Sequence, residues 1–178
     1  MIKEVITYPN PKLREVSKDV TTFDEALHEI LDDMYETMIH KNGIGLAAIQ
    51  ISTPLNILVI NLANEDGMQD KTDLFEVINP VIVEQSGICT YQEGCLSVPE
   101  IYEDVERAKV IKLKYQDRHG DEFTKEFDGL MAIALQHEID HLRGHLFIEK
   151  LSYLKRKKFE KEYKQMQKDK KQQKKRNL

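Results

Sequence analysis

The segment Gln136-His137-Glu138-Ile139-Asp140-His141 constrains this chain more than any other part of it. A His-Glu-x-x-His spacing brings its two imidazoles together on an α-helix, where positions i and i+4 share a face. A helix is therefore required here, and the rest of the fold must deliver to that face whatever completes the site. The glutamate between the histidines lies beside the same face, where it can handle the protons of a metal-activated water. The pattern also arises by accident, and helical histidines are more often plain surface or core residues. Glu93-Gly94-Cys95-Leu96-Ser97, about forty residues upstream, sharpens it by offering a thiolate as third ligand. Two imidazoles, one thiolate and an open position describe a catalytic metal site, since structural sites are closed by four protein ligands.

The surroundings of these residues agree with that chemistry. On the motif helix, Leu130, Ile133, Ala134, His137 and His141 share a broad face, so the ligands sit over apolar packing that fixes their rotamers. Gly94 permits close backbone approach beside Cys95, and a thiolate next to a divalent ion is fully deprotonated. Cys89 has no motif around it and reads as a small buried hydrophobe. His28, His40, His119 and His145 read as structural or solvent-facing.

A chain of 178 residues with 40% hydrophobic content suffices for one domain with a real core. The N-terminus lacks a basic stretch followed by a long apolar one, so no signal peptide is expected. No apolar run approaches the ~20 residues of a membrane span. Both cysteines then read as free thiols, and the expected compartment is the cytoplasm. The net charge of -5 hides an asymmetry: residues 1–150 carry 14 Lys and Arg against 28 Asp and Glu, whereas residues 151–178 carry 12 against 3. A basic tail on an acidic body fits contact with a polyanion, and it equally fits a solvated helix.

Local patterning gives an α+β chain. Thr22 to Glu25 reads as a capping box opening a helix that runs with helical apolar spacing to about His40 and stops at Asn42-Gly43. Gly43 to Gln50 is too glycine-rich for a secure helix or strand. Leu55 to Leu62 has strand character, Asn64 to Asp73 is a polar loop, and Leu74 to Glu84 is a strand interrupted by Pro80. Lys109 to Tyr115 alternates with period two, Arg118 to Asp121 turns, and Glu122 to Phe127 returns as its partner. Asp128 caps the motif helix, Gly129 to Arg143, and Gly144 closes it. A charged helix follows from about Ser152 and is expected to fray after Lys168. The expected fold is mostly antiparallel strands packed around a central metal-binding helix, with an N-terminal helix and a C-terminal basic helix. Residues 1–150 form the catalytic domain and residues 151–178 a basic helix or tail appended to it.

At this point the chain resembles the peptide deformylases. Gly43-Ile44-Gly45-Leu46-Ala47-Ala48-Ile49-Gln50, Glu93-Gly94-Cys95-Leu96-Ser97 and Gln136-His137-Glu138-Ile139-Asp140-His141 are similar to that family's three signature motifs, in the same order and at the same spacing. The likeness begins near Val5 and fades only in the basic tail. It implies a metal-dependent hydrolase that removes the N-formyl group from the formyl-methionine of newly synthesised polypeptides and releases formate. It implies Cys95, His137 and His141 as ligands of one divalent metal ion, Fe²⁺ natively, with Zn²⁺, Ni²⁺ or Co²⁺ as substitutes. Glu138 is implied as the proton shuttle, and the Gln50 side-chain amide and Leu96 backbone N–H as donors to the oxyanion. The main chain at Ile44, Gly45 and Gly94 would bind substrate as an extended strand, and Ile44, Leu130, Ile133 and Ala134 would line the methionine pocket. The implied partners are N-formylmethionyl nascent chains and, through the basic tail, the ribosome, with no membrane and no DNA. Two residues depart from the family's common pattern: Tyr91, where small or aliphatic side chains are frequent, and Tyr102, where arginine is.

Two other readings compete. Zinc metallopeptidases of the His-Glu-x-x-His type recruit a third ligand downstream, but Glu149, Glu160 and Glu162 lie in no recognisable ligand context. An RNA-binding protein acting through its tail with a decayed site conflicts with the intact set of Gln50, Cys95, His137, Glu138 and His141.

Overall fold

A computed structural model of the chain describes residues 1–177. Its centre is β2 (Ile57–Ile60), whose four residues are all fully buried. Successive side chains of a strand point to opposite faces, and here both faces are covered. Leu58 and Ile60 join a cluster with Ala132, Leu135 and Ile139 of the motif helix, α2 (Gly129–Leu142). Ile57 and Val59 join Leu27, Leu31, Met34 and Met38 of the N-terminal helix, α1 (Glu25–His40). An apolar run buried on both faces is thus sandwiched between two helices, as expected for a strand without polar alternation.

Around β2 the sheet is antiparallel throughout, in the order β1 (Gly45–Ala47), β2, β3 (Phe75–Ser86), β6 (Val110–Gln116) and β7 (Glu122–Phe127). Pro80 does not end β3. The pairing with β6 shifts register between Ile78 and Val81, which accommodates the missing N–H in a bulge. Asn79, at φ +53°, holds that irregularity by accepting from Val20 N–H at 2.8 Å and donating to Gln116 at 2.8 Å. The glycine-rich 43–50 segment resolves into β1 and a 3₁₀ turn, Ala48–Ile51.

A second, two-stranded sheet, β4 (Cys89–Cys95) with β5 (Val98–Arg107), was not expected from the patterning. Its inward positions on β5 include Glu103 and Arg107 beside Val98, Ile101 and Val105, so charge breaks the apolar alternation that marks a strand.

Two boundaries differ from expectation, at the start of α1 and the end of the charged helix. Asp24, not Thr22, caps α1, accepting from Leu27 N–H at 3.1 Å. Asp128 is the N-cap residue of α2 as expected, without a side-chain capping bond. The charged helix, α3 (Tyr153–Arg176), continues past Lys168, with no glycine or proline to stop it. It packs on the body through Phe159, Tyr163 and Met166, against a cluster containing Leu13, Ile101, Val105 and Phe147. Leu154, in the first turn of α3, takes no part in this packing and is 78% exposed. No helix is long and apolar enough to cross a membrane among the described residues.

Candidate active site

α2 delivers His137, Glu138 and His141 from its buried middle, and the end of β4 brings Cys95 to the same point. His141 Nε2 lies 3.3 Å from Cys95 Sγ and 3.2 Å from His137 Nε2, and the three side chains offer one metal-ligand atom each, all within 4.8 Å of one another. Two imidazole lone pairs facing each other at that distance repel, so a proton or a cation must sit between them. His141 is completely buried, and His137 is 8% exposed.

One further shell orients His137. Its Nδ1 is paired with Glu93 Oε1 at 2.8 Å, which commits that nitrogen and leaves Nε2 facing Cys95 and His141. Glu93 is held in turn by Arg107, whose Nε and Nη2 each donate to it at 2.8 Å. Arg107 Nη1 reaches back to α2 and donates to Asp140 at 2.6 Å. Burial opposes charge on Glu93, yet the Arg107 and His137 hydrogen bonds hold its carboxyl below the usual carboxylate range. Burial likewise opposes charge on His137, but Cys95 and Glu93 beside it hold its pKa well above the ordinary value. Burial, then the neighbouring His137 and Arg107 charges, push His141 well below it. The acceptors around His137 therefore favour positive charge at this point, which either a proton or a cation can supply.

Glu138 sits beside this group, with Oε1 3.9 Å from His137 Nε2. Its Oε2 is buried without a hydrogen-bond partner among the described residues. Burial raises its pKa to about 7. Gly45 packs directly against it, and a Cβ there would lie 2.8 Å from Glu138 Oε1, so a side chain at this position would displace the carboxylate.

Gln50 approaches from the 3₁₀ turn after β1. Its Oε1 accepts from Ala47 N–H at 2.9 Å, and its Nε2 donates to Ser97 Oγ at 3.0 Å while lying 3.7 Å from Cys95 Sγ. With one amide hydrogen spent on Ser97, the other lies on the thiolate side of the site.

These groups open on one cleft of about 790 Å³. Ile44, Gly45 and Gly94 border it, and Leu130, Ile133, Ala134 and Leu96 add apolar lining. Every site residue expected from the sequence therefore meets here, except that His141 lies beneath the cleft and does not line it. Tyr102 covers Gly94, where a Cβ would meet its ring at 2.5 Å, and Tyr91 stands at the same mouth. The sequence did not disclose Arg107 or the role of Asp140. Their only sequence trace is a charged residue at the end of a strand and an acid inside the helical motif.

Residues 2–157 match the family model for polypeptide deformylase. A peptide deformylase of Helicobacter pylori (strain HPAG1) is 56% identical over 168 residues, covering 94% of this chain and 97% of its own. A crystal structure of a peptide deformylase from Legionella pneumophila aligns with a TM-score of 0.84 at 40% identity, over 94% of this chain and 98% of its own. A Met-Ala-Ser-bound peptide deformylase from Acinetobacter baumannii aligns with a TM-score of 0.79 at 31% identity, over 85% of this chain and 99% of its own. With the family model covering most of the chain and relatives matching along nearly its whole length, the chain belongs to the polypeptide deformylase family, whose members remove the N-formyl group from nascent peptides.

Proposed function

We propose that deformylation runs on a divalent ion held by Cys95, His137 and His141, with Glu138, Gln50 and the Leu96 backbone N–H as the working groups of the protein. The observation that carries this is the convergence of one sulfur and two Nε2 atoms within 4.8 Å beside a buried carboxylate. The donor set fits a soft-to-borderline ion, and Fe²⁺ is the native ion, with Zn²⁺, Ni²⁺ or Co²⁺ able to replace it. When bound, the ion polarises the formyl oxygen and lowers the pKa of water.

The other steps belong to the chain. Glu138 takes a proton from the attacking water as its oxygen adds to the formyl carbon. The same carboxyl returns that proton to the amine nitrogen as the C–N bond breaks, giving formate and a free N-terminal methionine. A pKa of about 7 suits both halves of this shuttle. The second amide hydrogen of Gln50 and the Leu96 N–H stabilise the negative charge on the former formyl oxygen. Ile44, Gly45 and Gly94 pair with the peptide as an extended strand, and Leu130, Ile133 and Ala134 surround the methionine thioether. The Met-Ala-Ser ligand of the Acinetobacter relative supports a peptide that begins with methionine.

Residues 1–150 carry the reaction, and residues 151–178 are an appendage that meets the ribosome in the cytoplasm. The lysines and arginines of α3 support that contact. The deciding experiment is formate release from formyl-Met-Ala-Ser, with metal content measured on protein purified without air. Wild type should hold close to one ion per chain and turn over, and Cys95→Ala should lose both. A Cys95→Ala variant with full metal occupancy would overturn the ligand assignment.

A further inference from the structure

Gln69 lies in the loop after β2, outside the cleft, and no step above requires it. β1 and β2 pair as far as Gly45 opposite Ile60, and Asn61 N–H extends the ladder by donating to Ile44 O at 2.8 Å. The strands then part, and the Gln69 amide sits where they separate. Its Nε2 donates to Asn61 O at 2.7 Å and to Gly43 O at 2.9 Å. A primary amide has two N–H donors, so one group satisfies both carbonyls. Asn61, fully buried, answers by donating from Nδ2 to Asp70 O at 2.8 Å.

The loop that presents Gln69 is itself fixed. Asn64 Oδ1 accepts from the Asp66 and Met68 N–H groups, each at 3.0 Å. The Asp70 carboxylate accepts from Thr72 N–H at 2.9 Å. The clasp thus closes from an ordered turn onto the start of β1, whose other anchor is Gly43 N–H donating to Met38 O of α1 at 2.9 Å.

β1 is the outermost strand of its sheet, and Gly43, Ile44 and Gly45 line the cleft. An edge strand accepts an incoming strand only while its peptides keep the plane and spacing of a ladder. We infer that Gln69 is a positioning residue for substrate binding: its amide fixes the Gly43–Gly45 edge on which the peptide main chain pairs, without touching the peptide. This rests on the strand-pairing reading of substrate given above.

The test compares metal-loaded wild type with Gln69→Leu, Gln69→Glu and Gln69→Lys on formyl-Met-Ala-Ser. Losing the two donors should raise KM about fivefold to tenfold in the Leu and Glu variants, with kcat within about twofold. Gln69→Glu keeps the shape without the donors, whereas Gln69→Lys keeps donors and should hold KM near the wild-type value. Without substrate, amide hydrogen exchange at Gly43 and Asn61, whose N–H groups donate to Met38 O and Ile44 O, should quicken in the Leu and Glu variants while β3 amides stay unchanged. Unchanged KM and exchange would overturn the inference. So would a fall in kcat that tracks a fall in melting temperature, because that marks a general loss of stability. A wild-type protein that releases no formate overturns the function, and exchange at Gly43 and Asn61 then still decides whether Gln69 holds this edge.

Discussion

Glu93 and Arg107 face each other through two parallel hydrogen bonds of 2.8 Å, and both side chains are almost wholly buried. The pair ties the end of β5 to the strand that carries Cys95, while the third arm of Arg107 reaches α2 at Asp140. Removing one partner leaves a buried charge uncompensated, which typically costs about 3–5 kcal/mol. Arg107→Met should therefore destabilise the protein by an amount in that range in denaturant unfolding. Because Glu93 also orients His137, Glu93→Gln should weaken metal affinity by roughly 10–100-fold, read by chelator competition.

The same carboxylate sets a pH dependence. Its folded pKa lies below the ordinary 4.5, so its contribution to stability is present above that value and is lost as pH falls through the lower, folded one. The stability gap between wild type and Glu93→Gln should be widest near neutral pH and close progressively in acid. A gap that stays constant down to about pH 3 would show that the ionised form is not what stabilises the fold.

Glu138→Gln keeps the shape of the side chain and removes its proton chemistry. Metal content should stay near that of wild type, and kcat should fall by about 10²–10⁴-fold. Rapid turnover by this variant would move the proton to another group.

Much of this arrangement was legible in the sequence because the informative residues obey local rules. His137 and His141 must share a helix face, β2 shows its double burial as an unbroken apolar run, and β6 and β7 announce themselves by alternation and a turn. The β4–β5 hairpin was not legible for the reason that makes it functional. Its inward positions hold Glu93, Glu103 and Arg107, each buried only because a partner distant in sequence neutralises it. Local pattern cannot reveal a partner 14 or 55 residues away. The full length of α3 was missed on similar grounds. Exposed Lys and Gln give no apolar periodicity, yet their intrinsic helix propensity suffices once Phe159 anchors the first turns.

Tyr102 and Tyr91 stand exposed at the cleft mouth, with the Tyr102 ring lying on Gly94. If the peptide runs along Gly94, side chains downstream of methionine meet this aromatic rim. Tyr102→Ala should lower kcat/KM for formyl-methionyl peptides with an apolar or aromatic following residue more than for those with a small one. A loss of about tenfold corresponds to the 1–3 kcal/mol that such apolar contacts supply. Equal losses across a peptide series would assign the ring a packing role only.

The last turns of α3 carry Lys168, Lys170, Lys171, Lys174, Lys175 and Arg176 against Asp169 alone, and residues 168–176 are almost all exposed. The apolar anchors Phe159, Tyr163 and Met166 end before them. Deleting residues 168–178 should therefore leave the melting temperature and the turnover of formyl-Met-Ala-Ser unchanged. If this segment meets rRNA phosphates, binding is dominated by counterion release and weakens steeply with salt. Wild type should co-sediment with ribosomes at low salt and dissociate as salt is raised, and the truncated protein should fail to co-sediment at low salt. Phe159→Ala separates docking from charge, because it undermines the packing of α3 while leaving every lysine in place. It should cost about 3–5 kcal/mol of stability and weaken ribosome binding less than the truncation does. Equal co-sedimentation of wild type and truncated protein would leave the lysines of α3 as a solvated helix face.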